Sequence, residues 1–531
     1  PVGRMVGDSL PVSVFADHAD GQFEQGASAY EKRGVSVTVA KWDAEKCTQC
    51  NSCSFVCPHA TIRPFGLTDE EVAAAPAGLE VLPMKGKAKD LKYTLAISPL
   101  DCMGCGVCVG ACPSDALSMV GTEGEMAQQS IFDYCVAKVA DKPQIEDQTL
   151  RGSQFKQPLL EFSGACAGCA QTSYARLITQ LYGDHMYISN ATGCSSIWGG
   201  PAGTSPYTVN KQGHGPAWSN SLFEDNAEHG MGMLLGYEAV NNMLASDAEK
   251  LIAAGVEADV ADAAQAWLEA RDDKHAARET ADVLVEKLSA IAAGEGEAAK
   301  LAKEILENKA YLSKKSIWIF GGDGWAYDIG YGGLDHVLAS GEDVNIFVFD
   351  TEVYSNTGGQ ASKASNIGQV AQFAAAGKEV KKKSLAEIAM AYGYVYVAQI
   401  AMGAKPAQTI KAITEAEAYH GPSLIIAYSP CEMHSIKGGM VNCQSEMKKA
   451  VDCGYWNLFR FNPEGAPGKK FVLDCKEPAG GYREFLMNEA RYSRLTREFP
   501  ERAGELFERN EQAAMDRYQH LLKLKAMYDA E

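Results

Sequence analysis

The chain has 531 residues, enough for about three or four domains of ordinary size, and its 46% apolar and 22% charged residues give a normal globular balance. The 49 basic and 68 acidic residues leave a formal charge of −19, which argues against a nucleic-acid partner because such proteins cluster cations. No run of about 18 apolar residues occurs, and residues 1–15 lack the pattern of a signal peptide, so we predict neither a membrane span nor export. Because the first residue is Pro1 rather than Met, we expect the chain to be part of something longer.

Composition and patterning divide the chain into five segments. Residues 1–40 form a polar lead-in with one alternating run, Val35–Val39, and we expect this lead-in to pack on another part of the molecule. Within the large domain that follows later, residues 246–310 are rich in Ala, Glu and Lys and predict a helical insertion. The other segments are a cysteine-rich module at 41–120, a polar linker at 121–160, the large domain at 161–480 and a helical tail at 481–531.

Short apolar runs of the large domain alternate with turns that contain Gly or Cys. The runs are Tyr187–Ala191, Ile317–Phe320, Val344–Phe349 and Leu424–Tyr428. Continuous apolar runs of this length are typical of buried parallel strands with helices between them. Because ligands of such sheets bind at the carboxyl ends of the strands, the turns that follow predict one common site. The predicted fold class is α/β: a parallel sheet with helices on both faces, preceded by a small α+β module.

Two runs of four cysteines occupy the module, and each has the spacing CxxCxxCxxxCP. This is the pattern of bacterial ferredoxins with two [4Fe–4S] clusters, in which the fourth cysteine of each run binds the other cluster. Zinc also uses CxxC pairs, but two zinc sites do not explain a triplet with a proline-flanked fourth cysteine, twice. We therefore predict one cluster on Cys47, Cys50, Cys53 and Cys112, and a second on Cys102, Cys105, Cys108 and Cys57.

A cofactor site is indicated where Gly322-Asp323-Gly324 follows one apolar strand and Thr351–Gly359 follows the next. This order matches the fingerprint of thiamine-diphosphate enzymes, in which Mg²⁺ holds the diphosphate through hard oxygen ligands. The predicted Mg²⁺ ligands are Asp323, Thr351 at a position where Asn is usual, and the backbone carbonyl of Val353. The simpler interpretation is a pair of glycine-rich turns in an ordinary α/β domain.

Four further cysteines lie at strand-end turns, which is enough for a third [4Fe–4S] cluster. They are Cys166, Cys169, Cys194 and Cys431. The alternative is a redox-active CxxC pair beside two inert buried thiols. The remaining cysteines show no ligand spacing and are predicted to be plain thiols: Cys135, Cys443, Cys453 and Cys475.

Together these motifs resemble the C-terminal half of pyruvate:ferredoxin (flavodoxin) oxidoreductases in their long single-chain form. The likeness extends over nearly the whole chain. It implies a thiamine-diphosphate-binding parallel-sheet domain preceded by a two-[4Fe–4S] ferredoxin-like domain, with three [4Fe–4S] clusters, thiamine diphosphate and Mg²⁺ as cofactors. The segments that carry the likeness are Cys47–Pro58, Cys102–Pro113, Ser163–Cys169, Ala191–Gly200, Gly322–Gly333, Asp350–Gln360 and Tyr428–Cys431.

The resemblance also implies roles for residues around the cofactor. Asn356 lies close to the reacting carbon in this scheme and is the one catalytic residue expected on the chain. Phe223 and Trp325 are expected to wall the site, while Gln171 stands where the family often has an acidic residue, so its role is open. The other residues expected to bind the cofactor are Cys194, Gly322, Asp323, Gly324, Thr351, Glu352, Val353, Tyr354 and Ser355.

The implied activity is oxidative decarboxylation of pyruvate with coenzyme A to acetyl-CoA and CO₂, with electrons passed to ferredoxin or flavodoxin. The expected partner is the N-terminal half of the enzyme, which carries the substrate and coenzyme A domains, in a homodimer of the complete enzyme. Solvent-sensitive clusters and the lack of an export signal indicate the cytoplasm. Two alternatives stay open: another 2-oxo acid, such as 2-oxoglutarate or indolepyruvate, or an electron-transfer polyferredoxin only.

Overall fold

The computed structural model describes residues 5–200, 204–273 and 276–530. The first four residues of the predicted lead-in, residues 274–275 of the predicted insertion and the last residue of the predicted tail lie outside the described residues. Within the described ranges, no helix combines the length and the apolar character that a membrane span requires.

The lead-in lies against the large domain and then enters the cysteine-rich module. The backbone amide of Gly26 donates a hydrogen bond of 2.6 Å to the carbonyl oxygen of Tyr207, which belongs to the large domain. The alternating run Val35–Val39 overlaps a strand that begins at Thr38 and continues to Trp42. Before it, the described lead-in contains loops and the short 3-10 helices Gly7–Ser9, Val12–His18 and Ala27–Tyr30.

The cysteine-rich module is a small α+β unit with two antiparallel sheets. Its strands and helices are β1 Thr38–Trp42, α1 Ser52–Val56, β2 Ile62–Leu67, α2 Asp69–Ala73, β3 Leu82–Pro83, β4 Lys92–Ile97, α3 Val107–Gly110 and β5 Leu117–Gly121. One sheet pairs β1 with β5, and the other has the order β2-β4-β3. The short helices α1 and α3 carry the third cysteine of each run, Cys53 and Cys108. Both runs therefore occupy equivalent positions in the module.

Residues 121–160 are not the polar linker that the sequence predicts. They contain α4 (Gln128–Lys138) and the short α5 (Leu150–Ser153). Helix α4 buries Ile131, Phe132 and Cys135, which share one helical face and form a core with the β4 side of the module. Three apolar side chains in a polar stretch are thus enough to make this segment part of the module.

The large domain is built on one sheet with the strand order β13-β12-β10-β11-β9-β8-β6-β7. Its strands are β6 Met186–Asn190, β7 Ala217–Asn220, β8 Ser316–Gly322, β9 Asn345–Asp350, β10 Tyr396–Ile400, β11 Ser423–Tyr428, β12 Phe459–Phe461 and β13 Phe471–Leu473. The six strands from β10 to β7 in this order are parallel, and only β12 and β13 at one edge are antiparallel. The predicted α/β class is confirmed.

The register of the parallel strands brings their carboxyl ends to one edge. Tyr428 at the end of β11 pairs with Asp350 at the end of β9, and Gly322 at the end of β8 pairs with Phe349. Asn190 at the end of β6 pairs with Phe320 in β8. The turns that follow these strands therefore meet above the same edge, as the sequence pattern predicts.

Helices cover the sheet and extend from it. The predicted insertion is helical and has a core of its own, and Gly296 separates α10 from α11 in the expected break. The predicted tail packs on the large domain through Leu506 and Leu521, which are 1% exposed. The helices are α6 Ala170–Tyr182, α7 Cys194–Gly199, α8 Asn226–Ala253, α9 Ala258–Ala270, α10 Ala276–Ala292, α11 Glu297–Glu307, α12 Tyr331–Ser340, α13 Leu385–Met390, α14 Pro406–Ala418, α15 Cys443–Asp452, α16 Tyr482–Met487, α17 Ala490–Ser493, α18 Leu495–Glu498 and α19 Pro500–Asp529.

Candidate cofactor and iron–sulfur sites

A cavity of about 130 Å³ opens where the strand-end turns meet. Every residue predicted to bind the cofactor lines it, with the exception of Glu352. The start of α6 contributes Gln171, and the first residue of α7 contributes Cys194. The cavity also includes residues that the sequence pattern did not single out as binding residues: Thr192, Gly193, Ser195 and Thr357.

The predicted Mg²⁺ ligands lie together in the lining of this cavity. The Thr351 hydroxyl oxygen is 2.9 Å from Asp323 Oδ1 and 2.9 Å from the carbonyl oxygen of Val353. The second carboxylate oxygen of Asp323 accepts a hydrogen bond of 2.6 Å from the Ser362 hydroxyl. Three oxygen atoms from residues at the strand ends thus converge. Such a set of ligand atoms fits a hard cation such as Mg²⁺.

The electrostatics of Asp323 also fit a cation. The carboxyl is 1% exposed, and burial, together with the nearby charge of Asp350, raises its pKa to about 7. A bound divalent cation would reverse this effect, because its charge favours the ionised carboxylate.

Gly324 is required because an aromatic ring lies directly over it. A Cβ atom at this position would stand 2.5 Å from two ring atoms of Tyr354. The same ring meets Phe223 edge-on, with centroids 6.1 Å apart, and Trp325 is buried at 1% exposure. These three aromatic residues line the cavity, and the role expected for Phe223 and Trp325 stays a prediction.

Gln171 and Asn356 occupy opposite environments in the cavity. Gln171 is 6% exposed, and its side-chain oxygen accepts a hydrogen bond of 3.0 Å from the Trp198 indole nitrogen. That bond fixes the direction of the amide. Asn356 is exposed at the opening, where a side chain can reach a molecule bound in the cavity.

Glu352 does not face the cavity, so its predicted contact with the cofactor is wrong for the side chain. Its backbone is left-handed, with φ of +59°, and this turns the side chain into the protein while its neighbours Thr351 and Val353 face the cavity. There the carboxylate is 2.7 Å from Arg491 and 2.9 Å from Lys382. Burial opposes ionisation, but these two cations outweigh it and hold the pKa of Glu352 at about 2.

None of the sixteen cysteines, all of which lie in the described residues, forms a disulfide, and the eight cysteines of the module line two cavities, four to each. The first set lines one cavity, and the second set lines another. Burial, with the charge of Cys57 next, raises the pKa of Cys105 to about 12. Thiols gathered in this way are suited to soft metal ligation, which favours the thiolate form. The first set is Cys47, Cys50, Cys53 and Cys112, and the second is Cys57, Cys102, Cys105 and Cys108.

A third set forms at the strand ends, beside the cofactor cavity. The pKa of Cys169 is raised to about 12, mainly by burial and also by the charge of Cys431. Burial also raises the pKa of Cys194, and the charges of Cys431, Cys169 and Cys166 add to it, so all four thiols lie within electrostatic reach of one another. Cys194 belongs both to this set and to the lining of the cofactor cavity. The predicted plain thiols are buried or half-buried: Cys135, Cys443, Cys453 and Cys475.

Family models match three parts of the chain. Residues 290–427 match "Thiamine pyrophosphate enzyme, C-terminal TPP binding domain", residues 46–116 match "4Fe-4S dicluster domain", and residues 1–36 match a domain of unknown function. The class is thus defined: a thiamine-pyrophosphate-binding domain joined to a two-cluster iron–sulfur domain. Both predicted domains are confirmed.

Curated relatives define the family more closely. The chain is 53% identical over 528 residues to the pyruvate-flavodoxin oxidoreductase of Klebsiella pneumoniae and 52% identical over 535 residues to the pyruvate:ferredoxin oxidoreductase of Moorella thermoacetica. Each match covers 99% of this chain and 45% of the relative. The pyruvate dehydrogenase [NADP(+)] of Euglena gracilis is 45% identical over 98% of the chain, which covers 29% of that relative. The chain is therefore related over nearly its whole length to pyruvate-flavodoxin and pyruvate:ferredoxin oxidoreductases, and it spans about 45% of their length.

Proposed function

We propose that this chain is the cofactor-carrying portion of an enzyme that oxidises pyruvate with coenzyme A to acetyl-CoA and CO₂, and that passes the electrons through three [4Fe–4S] clusters to ferredoxin or flavodoxin. The observation that carries the proposal is the position of Cys194, which belongs to the third cysteine set and also lines the cofactor cavity. A cluster held there would lie beside the cofactor. The names and the identity of the relatives support the same activity.

The chain's own residues would bind and orient the cofactor. Asp323, Thr351 and the Val353 carbonyl would hold Mg²⁺, and Gly324 allows the backbone and Tyr354 to approach each other beside it. When bound, thiamine diphosphate supplies the chemistry that cleaves the bond between a carboxylate and a carbonyl carbon, while the protein orients it. The aromatic walls exclude water from this side, and Asn356 at the opening would position the reacting group.

The three cysteine sets would form a path for electrons. The third set adjoins the cofactor cavity, and the loop of the third set touches the second set where Gly168 approaches Val107. The first set shares the module with the second. We therefore assign the order cofactor, third cluster, second cluster, first cluster, with the acceptor docking near the first.

The remaining partners belong to the part of the enzyme that this chain does not cover. The relatives are more than twice as long, so the substrate-binding and coenzyme A-binding groups are assigned to the N-terminal half, in a homodimer of the complete enzyme. The relatives named here use flavodoxin, ferredoxin or NADP⁺, and ferredoxin or flavodoxin fits the two-cluster module best. A cytoplasmic location is part of the proposal because the clusters are sensitive to oxidants.

The test is an anaerobic analysis of the complete enzyme for iron, acid-labile sulfide, magnesium and thiamine diphosphate, followed by turnover with a panel of 2-oxo acids. Three cubane clusters predict about twelve iron per chain, with one thiamine diphosphate and preferred turnover of pyruvate. About eight iron without thiamine diphosphate would leave an electron-transfer protein only. Full cofactor content with preference for 2-oxoglutarate or indolepyruvate would change the substrate and keep the mechanism.

A further inference from the structure

A two-residue projection of the loop after β11 lies between the second and the third cysteine set. Met440 and Val441 follow Gly438 and Gly439, whose φ angles of +85° and +86° allow the loop to turn sharply inward. Met440 is 6% exposed. We call Met440–Val441 the wedge.

On the side of the second set, the wedge touches the backbone of helix α3. A Cβ atom at Gly110 would lie 2.8 Å from the carbonyl oxygen of Val441, and one at Gly106 would lie 3.2 Å from Val441 Cγ2. Both glycines stand between cysteines of the second run, Gly106 after Cys105 and Gly110 before Cys112. The wedge is therefore seated against the loop that holds the second set.

On the opposite side, the wedge touches the loop of the third set. A Cβ atom at Gly168 would lie 2.6 Å from Met440 Cβ, and Gly168 stands between Cys166 and Cys169. The same Cβ position is 3.5 Å from Val107 Cγ2, so the two cysteine loops also touch each other beside the wedge. Glycines thus occur on both cysteine loops at the points where a side chain would push the wedge away.

The loop that carries the wedge is fixed at both ends. It begins with Cys431 of the third set, and the amide of Lys437 donates a hydrogen bond of 2.8 Å to the carbonyl oxygen of Asn488 in the segment before α17. It ends at Cys443, where α15 begins, and the Cys443 thiol is close enough to Cys105 and Cys169 for their charges to act on it. A close-packed insert with anchored ends transmits displacement instead of absorbing it.

We propose that the Met440–Val441 wedge is a rigid spacer that sets the separation of the second and third clusters, and with it the rate at which an electron passes between them. This inference rests on the proposed function, because it requires clusters on both cysteine sets. Met440 and Val441 bind no iron in this scheme and act as positioning residues. If both cysteine sets hold clusters, one electron would pass from the third to the second, and this step would change no bond.

The test uses the complete enzyme with Gly110→Ala. Gly110 has no left-handed φ, so alanine adds only the contact with the Val441 carbonyl and no backbone strain. Gly124→Ala is the matched control, since it lies in the same module and a Cβ there would meet nothing within 4 Å. Met440→Gly is the second variant: it removes the Cβ that touches Gly168 and makes a third consecutive glycine, which loosens the spacer.

The readout is the magnetic interaction between the reduced clusters in electron paramagnetic resonance, together with freeze-quench kinetics after mixing with pyruvate. We expect Gly110→Ala to weaken the interaction and to slow electron arrival at the second cluster severalfold, with unchanged reduction of the third cluster. Met440→Gly should widen the distribution of magnetic interaction strengths and slow electron passage to the second cluster. Gly124→Ala should match the unmodified enzyme in both measurements.

Iron content separates the possible outcomes. If the Gly110→Ala enzyme loses iron, its kinetics do not test the proposal. The Met440→Gly enzyme, in which neither cysteine loop is changed, then provides the test. The proposal that the wedge is a spacer is overturned if an iron-replete Met440→Gly enzyme shows the same magnetic interaction and the same rate of electron passage as the unmodified enzyme. If the unmodified enzyme lacks the third cluster, or if pyruvate does not reduce it, the proposed function fails and the spacer fails with it.

Discussion

Replacing Glu352 by Gln should destabilise the large domain strongly, although this residue touches no cofactor. The carboxylate is fully buried, between Arg491 at 2.7 Å and Lys382 at 2.9 Å. Its pKa of about 2, against a usual value of 4.5, corresponds to roughly 3 kcal/mol of stabilisation at ~1.36 kcal/mol per pH unit. Loss of one partner of a buried ion pair typically costs about 3–5 kcal/mol, which is of the same size as the stabilisation derived from the pKa. Glu352→Gln keeps the shape, removes the charge and turns one acceptor oxygen into an amide nitrogen that faces donors only.

The assay is urea unfolding of the cofactor-free protein, followed by tryptophan fluorescence at pH 7. A loss of about 3 kcal/mol lowers the midpoint by about 1 M if the free energy of unfolding changes by about 3 kcal/mol per molar urea. The control is Glu505→Gln, because Glu505 is an exposed residue of α19 whose pair with Arg509 at 3.5 Å contributes at most about 1 kcal/mol. If the midpoint shift for Glu352→Gln is no larger than that of the control, the buried ion pairs of Glu352 do not stabilise the domain as assigned.

The pH dependence of the unfolding midpoint provides a second test of the charge on Glu352. The pKa of Glu352 is lower in the folded protein than in the unfolded chain, so its stabilisation is complete above about pH 4.5 and is lost as the pH falls toward 2. Unfolding midpoints measured between pH 6 and pH 3 should therefore fall less steeply for Glu352→Gln than for the unmodified protein. Parallel pH profiles would contradict the assigned charge state.

Other predictions concern the cofactor cavity, the third cysteine set and the docking of the module. Gly324→Ala should abolish retention of thiamine diphosphate after gel filtration, because its Cβ would stand 2.5 Å from the Tyr354 ring. Cys194→Ser should lower the iron content by about four per chain, whereas Cys443→Ser should leave it unchanged in the same iron assay. Dialysis against EDTA should release thiamine diphosphate, and added Mg²⁺ should restore its binding, as measured by calorimetry. Arg176→Met should lower the thermal midpoint of the module, since it leaves the buried carbonyl of Phe55 without its donor.

The sequence predicts the sites well wherever local spacing determines geometry. Parallel strands force the turns after β6, β8, β9 and β11 to meet, so Asp323 and Thr351 could be placed together without any contact information. The crossed cysteine sets follow in the same way from the spacing of two equivalent runs. In both cases one repeated local pattern fixes a long-range contact.

The sequence fails where long-range contacts determine the conformation. The direction of Glu352 depends on its left-handed φ and on Lys382 and Arg491, which are 30 and 139 positions away along the chain. No periodicity marks any of these residues as partners. Helix α4 was missed because its apolar face is only three side chains wide within a polar stretch. The wedge gives no signal at all, since glycines at Gly106 and Gly168 have an obvious alternative role in tight cysteine loops.

Helix α6 connects the cysteine-rich module to the part of the large domain that holds the third cysteine set and the cofactor cavity. The helix begins directly after Cys169 of the third set, and its next turn carries Ser173 and Arg176. Ser173 donates to the carbonyl of Val56 at 2.9 Å, and Arg176 donates to that of Phe55 at 2.7 Å. Both carbonyls lie between Cys53 of the first set and Cys57 of the second.

These contacts have a consequence for electron transfer. A shift of the module would leave buried donors or acceptors without partners, at about 1–3 kcal/mol for each group. Helix α6 and its hydrogen bonds therefore hold the third set against the module, and the wedge packs between the third and second sets. Under the proposed function, this arrangement would keep the distances between the clusters fixed. Large motions would then occur at the contact with the electron acceptor and in the part of the enzyme that binds coenzyme A.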